Sequence, residues 1–492
     1  MSNDKHSIAA DDPKVDCIDD TQAVHYVIDP DEEKAVIKKL DRVILPLMAL
    51  VSFFQYLDKQ SINYASVFGL SDNLNLTNGE YSWAVSLFYF GQFVSEYPAA
   101  YLMSRFNVVR FIGVCIILWG AVAGCLGASQ DFSSLGAIRF LLGLTEGAVA
   151  PSFMIITSTW YKRRENPIRV ACWVSMFGVS QIAGALMMYG IGLAKMSIQT
   201  WRVMFIVCGG LTVLAGVLFI LFMPRDPSSA WFLKDHERKI AVERLALDRA
   251  TRDRSEFNVS QMKEALLDPR TWLYCSMALF ICIPTPIVKF SSKVIHGFGY
   301  SSLVTMLVGL PGGAIAFALI WIGAIGPLYF PNSRCFFGIF LALMPMMGSL
   351  LVLFLPQNQP WGIVAGTWFA ACTAPPLGQA MALMAANVKG NTKKSVVGAL
   401  FFIFYCVGCI VGPQLWQEPE APRYTKGCIA SVVSWCLLVC AFTLFYVTGR
   451  RSNAKRDATS HHALGEVATE GLGVAIDDDS TERQDKLFRY SL

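Results

Sequence analysis

The chain has 492 residues, of which 54% are hydrophobic and only 16% charged, with a formal net charge of +4. Its mean hydropathy is +0.44, whereas a soluble protein of this length carries about 25% charged residues. The apolar residues also come in long uninterrupted runs, where a soluble helix would show one apolar face, so a water-soluble globular protein is excluded.

Residues 1–41 are polar and have no apolar core, which argues against a cleavable signal peptide and predicts a disordered cytoplasmic tail. Twelve runs of about 20 apolar residues follow. The first six lie near 43–67, 81–103, 109–128, 132–159, 170–194 and 203–223. The other six lie near 271–295, 300–327, 335–355, 361–387, 396–417 and 427–448. This spacing predicts an all-α polytopic membrane protein with one six-helix bundle over 42–223 and another over 270–448. The interval 224–269 is densely but evenly charged, and Leu233, Ile240, Val242, Leu245 and Leu247 are spaced for an amphipathic helix under the membrane. A structural link is its expected role. Residues 449–492 carry Asp477, Asp478 and Asp479, lack a lipidation box and are expected to be disordered.

Lysine and arginine in the short loops set the orientation. Loops after even-numbered spans hold Arg105, Arg110, Lys162, Arg163, Arg164, Arg169, Arg334, Lys389, Lys393 and Lys394, against Lys195, Arg202, Lys293, Arg423 and Lys426 on the other side. Both termini are therefore expected in the cytoplasm, in a multi-pass protein of the plasma membrane. Of the 14 cysteines, all but Cys17 fall within or at the edge of spans, with no ligand-like pairing to histidine. No metal, cofactor or nucleic acid is called for, no catalytic nucleophile–base pair appears, and a monomer is expected in its lipid.

Ionisable residues inside spans are costly and therefore informative. They are Asp58 and Lys59 in the first span, Glu96 in the second, Arg139 and Glu146 in the fourth, and Lys289 in the seventh. At 1.5 Å per residue, Asp58 and Arg139 lie roughly 10–14 Å below the outer surface, with Glu146 about 10 Å deeper on the face of Arg139. These three are expected to line one cavity, and simple pairing between helices is the alternative. Glu96 is near the inner end of its span beside the loop of Arg105, where a structural latch outweighs a transport role. Tyr89 and Gln92, one to two turns earlier, are candidates to face the cavity. In "CIPTPIVKF" two prolines are expected to break the seventh span and expose carbonyls. Lys289 then either adds positive charge to the site or snorkels outward. Gln379, Asn387 and Gln414 are the second half's candidates for substrate hydrogen bonds.

Four blocks carry a family resemblance: "YLDKQSINYASVFGL", "YSWAVSLFYFGQFVSEYPAAYL", "RFLLGLTEGAVAPSFMIITSTWYKRREN" and "EALLDPRTW". Together they resemble the fungal allantoate permease-type members of the anion:cation symporter family, within the major facilitator superfamily, over about residues 40–450. The resemblance implies two six-helix bundles around a central site that works by alternating access. It implies proton-coupling carboxylates at Asp58 and Glu146, an anion contact at Lys59, and Arg139 as partner or relay of the acids. The position of Lys59 is commonly Arg in the family, and an ammonium lacks the planar two-pronged grip of a guanidinium. The seventh span also departs from the Asn-Gly-rich break common there.

The expected function is proton-coupled uptake of a small organic anion such as a ureide, vitamin acid or amino-acid derivative. Protonating Asp58 or Glu146 leaves Lys59 and Arg139 uncompensated, which favours an anion and couples the two bindings with the sign symport requires. The alternatives are export of a small metabolite, which the absence of a proline from the fifth span disfavours, and a non-transporting nutrient sensor.

Overall fold

The computed structural model describes residues 29–492 apart from 78, 163–164, 195, 250–257, 298, 357, 417–419, 421–423, 468–478 and 486–487, without the side chains of 246–249 and 459–467. Among the described residues, ten helices or helix pairs are long and apolar enough to cross a membrane. Glu80–Arg105 and the pair Pro360–Ala370 and Ala374–Asn387 take the second and tenth places, completing the expected order of twelve spans.

In a bilayer each span must satisfy its backbone internally, so the apolar runs become helices. In the first half, span 6 (Thr200–Phe222) packs against span 1 (Pro30–Val67) and span 3 (Val108–Cys125), and span 2 packs against span 4. In the second, span 9 (Arg334–Phe354) packs against spans 10 and 12, and span 7 against span 11 (Asn391–Val411). The halves meet along spans 1 and 7, 2 and 11, and 5 and 8. Between spans 2 and 4 the backbones touch: a Cβ on Gly143 would fall on the carbonyl of Phe88, and one on Gly91 on that of Phe140. Small residues permit this approach where lipid gives no hydrophobic drive. Gly143 lies between Arg139 and Glu146, so this contact fixes the face on which both charges sit.

Span 4 is two helices, Phe132–Glu146 and Val149–Trp160, and its break comes directly after Glu146. Pro151 has no amide hydrogen for the carbonyl of Gly147. Span 7 is likewise split into Pro269–Cys282 and Ile287–Gly297, with Pro284 and Pro286 in the break, as the sequence predicts.

Three stretches differ from expectation. The first helix starts at Pro30, within the tail expected to be disordered, because its acids are engaged: Glu33 meets Lys162 at 2.5 Å and Arg244 at 3.0 Å. The linker contributes two helices, one to each half. Asp235–Arg249 joins the first half through Lys39–Glu237 (2.6 Å) and Arg244–Glu165 (2.5 Å), and Val259–Leu267 lies on the second. Span 12 runs from Thr425 to Val467, and residues 479–485 and 488–492 lie against the second half instead of being free. The disorder expected for residues 1–28 and 468–478 lies outside the described residues. The two ends of the described chain are on one face, called the terminus side below.

Candidate transport site

Asp58 and Lys59 are neighbours about three-quarters of the way along span 1, and about 100° of helix rotation separates their directions. Asp58 is 2% exposed and turns into the first half, where the Thr212 hydroxyl of span 6 donates to it at 3.2 Å. Arg139, Glu146 and Trp119 are within its electrostatic range. Lys59 turns towards the second half, near Cys406 and Cys409 of span 11. Its ammonium stands 2.9 Å from one Glu146 oxygen and 5.8 Å from the centre of the Phe88 ring.

The Lys59–Glu146 contact is close enough for an ion pair but lies off the line of a hydrogen bond. Neither Glu146 oxygen, nor Arg139 Nε, has a hydrogen-bond partner among the described residues, although both side chains are buried. From the other half, the Lys289 ammonium donates to the Lys59 carbonyl, within electrostatic range of Arg139 and Glu146. Lys289 therefore points inward and does not snorkel. Three cations and two carboxylates share one buried cluster, and ionised they leave a single positive charge. Tyr89 and Gln92 on span 2 are close by: Tyr89 is within range of Glu146 and edge-on to Tyr405 at 6.4 Å, and Gln92 Oε1 is buried without a partner.

Other expectations are not met in this way. Glu96 and Arg105 form no latch: nine residues is two and a half turns, which puts them on opposite faces. Arg105 is exposed over the Tyr101 ring, while Glu96 faces Cys406 of span 11 with one buried oxygen unpaired. Asn387 is far from the cluster, at the terminus-side end of span 10, and its amide is taken up by both backbone groups of Ser491. Gln379 donates to the Gly323 carbonyl of span 8 (Ser302–Val308 and Leu310–Tyr329), keeping only its oxygen unpaired. Gln414 donates to the Ser86 hydroxyl at 2.9 Å, across the halves.

Gln414 belongs to a seal on the far side. There Asn63 bonds Ser292 through both its amide nitrogen (3.0 Å) and its oxygen (3.3 Å). Tyr81 donates to the Lys289 carbonyl at 3.0 Å, Ser86 to that of Ile410 at 2.8 Å, and Ser302 to that of Val67 at 3.0 Å. All join span 1 or 2 to span 7, 8 or 11. On the terminus side, by contrast, the ion pairs described above stay within one half and its linker helix. The far side is closed.

The sequence reading missed Thr212 and Gln181. Gln181 is the one amide in the apolar run 170–193 of span 5 (Asn166–Val174 and Met176–Leu193), and its nitrogen is buried without a partner among the described residues. With Gln60, Asn63, Ser292, Thr305 and Thr367 it lines a narrow polar cleft of about 40 Å³ between the halves. A lone amide in such a run was a readable signal. Thr212 was not, because a threonine in a helix ordinarily returns its hydroxyl to the preceding turn, as this one also does to Cys208.

Residues 48–413 match the model of the Major Facilitator Superfamily. The chain belongs to that superfamily. Within it, the chain is 34% identical over 464 residues to an uncharacterised transporter of Schizosaccharomyces pombe, covering 93% of this chain and 87% of that one. It is 30% identical over 485 residues to the allantoate permease of Saccharomyces cerevisiae, covering 96% and 89%. The facilitator fold is shared with the proton:xylose symporter XylE bound to 6-bromo-6-deoxy-D-glucose, at TM-score 0.62 and 14% identity over 84% of this chain and 96% of that one. This facilitator is thus an allantoate permease-like, multi-pass membrane protein and a secondary transporter of small molecules.

Proposed function

We propose that the protein takes up a small organic anion together with protons, across the plasma membrane and with both termini in the cytoplasm. The observation that carries this reading is the buried cluster with its surplus positive charge: Lys59, Arg139 and Lys289 against Asp58 and Glu146. A buried uncompensated cation is costly, so an anion that enters and neutralises it is favoured. The unpaired Arg139 Nε supplies a donor for such an anion. The amide and hydroxyl groups of the adjoining cleft suit a ligand with a hydrogen-bonding body, such as a ureide.

Each carboxylate has its own part. Glu146 holds Lys59, so a proton on Glu146 releases that ammonium to the anion. Asp58 sits behind, against Thr212 and near Arg139, where its charge modulates the arginine without touching a ligand. Anion and proton thus favour each other's binding, and with the far side closed both are free to leave towards the cytoplasm.

The test starts from untargeted mass spectrometry of an acidic complex medium, comparing cells that overexpress the protein with cells that lack it. A small anion depleted faster by the overexpressing cells is then followed in proteoliposomes. Glu146→Gln should abolish accumulation driven by a pH gradient while leaving exchange of labelled for unlabelled anion. Accumulation by Glu146→Gln at the wild-type level would overturn the coupling. A compound released only when the protein is present would reverse the direction.

A further inference from the structure

The last residues of the chain are bound by the second half with a density of contacts unlike a loose tail. At the centre is Lys393, at the start of span 11 and 1% exposed. Its ammonium meets Glu264 of the linker helix at 2.9 Å, Asp268 at the start of span 7 at 2.9 Å, and Glu482 of the tail. Three carboxylates from three separate segments converge on one cation. The Thr481 hydroxyl adds a bond to Glu264 at 3.0 Å.

The rest of the tail is held through its backbone. The Arg456 guanidinium on span 12 donates to the carbonyls of Glu482 (2.7 Å) and Phe488 (2.6 Å). Asn453, one turn earlier, brackets Tyr490 with two bonds of 2.9 Å. Asn387 of span 10 does the same for Ser491, and the Arg334 amide of span 9 donates to the Leu492 carbonyl at 2.7 Å. The Tyr490 ring lies 3.6 Å beneath the Arg270 guanidinium, with Arg456 also near it. Leu492 fills the space that a side chain on Gly449 would take. Gln261 of the linker helix donates to the Asp479 carbonyl at 2.7 Å. An extended segment thus touches the terminus-side ends of spans 7, 9, 10, 11 and 12 and the linker helix Val259–Leu267.

We propose that residues 479–485 and 488–492 act as an intramolecular clasp, pinned by Lys393, that binds the linker helix and the terminus-side ends of these spans into one body while the halves rock. Alternating access needs each half to move as a unit, and the terminus side is where the second half is drawn away from the first. The linker pulls on Val259–Leu267 at that moment. The clasp gives this short helix an anchor that its nine residues cannot provide alone.

The test is hydrogen–deuterium exchange of the full chain in micelles, following 479–485, Val259–Leu267 and, as a control, the first half's linker helix Asp235–Arg249. In Arg456→Gln, which loses the bonds to the tail carbonyls and the charge beside the Tyr490 and Phe488 rings, exchange should rise at least about tenfold over both 479–485 and Val259–Leu267, as expected when about 1.5 kcal/mol of charge-assisted bonding is lost. Asp235–Arg249 should be unchanged. Lys393→Gln leaves Glu264, Asp268 and Glu482 facing one another with only the half-exposed Arg483 beside Asp268, and should have the larger effect. Wild-type exchange over 479–485 at the rate of an unstructured peptide would overturn the clasp. So would an Arg456→Gln tail that exchanges freely while Val259–Leu267 stays protected.

Discussion

Lys59 and Lys289 illustrate how two cations in one cluster carry different work. Lys59 holds Glu146, so replacing it by Gln strands a carboxylate that has no other partner, a loss of about 3–5 kcal/mol in fold stability as well as function. Lys59→Arg keeps the charge and should retain transport, with a changed preference among carboxylates because the guanidinium grips in a plane. Lys289 rests on a carbonyl. Lys289→Met therefore leaves the fold intact and removes only positive charge from the site. Its half-saturation concentration for the anion should rise about tenfold to a hundredfold, the 1.5–3 kcal/mol of a charge-assisted contact, with the maximal rate little changed. Uptake kinetics of the two variants distinguish these roles, and an unchanged half-saturation for Lys289→Met would remove Lys289 from the site. The charges themselves were legible in the sequence, since all of them interrupt apolar runs. Their directions were not. A step of one residue sends Asp58 into its own half and Lys59 towards the other, and only packing decides which.

At the scale of elements, the spans followed from apolar runs and the break in span 7 from its prolines, whereas the tail did not. Its acidic run suggested disorder, although Phe488, Tyr490 and Leu492 behind it are an unusual supply of apolar side chains for a solvated end. Nothing local could show that their receptor is made of five spans distant in sequence. Asp268 gives this contact a pH signature. It caps the first turn of span 7 by accepting from the Arg270 amide, and it meets Lys393 and Arg483. Burial pushes its carboxyl up, but Lys393, with Arg483 behind it, outweighs burial and holds it below the usual aspartate value. Glu264 and Glu482 face the same ammonium, and Tyr274 and Tyr490 are nearby. A carboxyl depressed in the fold contributes stability that is present above its unfolded value, about 4, and lost as the pH falls through the folded one. The apparent melting temperature should therefore hold steady from neutrality to about pH 5 and fall below about pH 4. Asp268→Asn should melt lower at neutral pH and lose less on acidification. An acid limb equally steep in wild type and variant would show that Asp268 does not set it.

For the whole molecule, transport requires that the far-side seal open, so its strength must be modest. The seal has two components: polar bridges such as Asn63–Ser292, and the close approach of spans 5 and 8, where a Cβ on Gly178 would meet the Gly313 carbonyl. The glycine contact joins backbones near the middle of both spans and suits a pivot that persists in both states. The polar bridges are the part that must break. Asn63→Ala removes two of them, each worth about 0.5–1.5 kcal/mol, which shifts the balance towards a far-side-open form by about 5-fold to 150-fold. Ser291 adjoins Asn63, with 3.4 Å between the amide nitrogen and the hydroxyl. A cysteine there should react with a membrane-impermeant thiol reagent from the far side faster by that factor when Asn63→Ala is added. Equal labelling with and without Asn63→Ala would mean that helix packing, and not the polar bridges, sets the closed state. Gly178→Ala would then be the substitution that moves the balance.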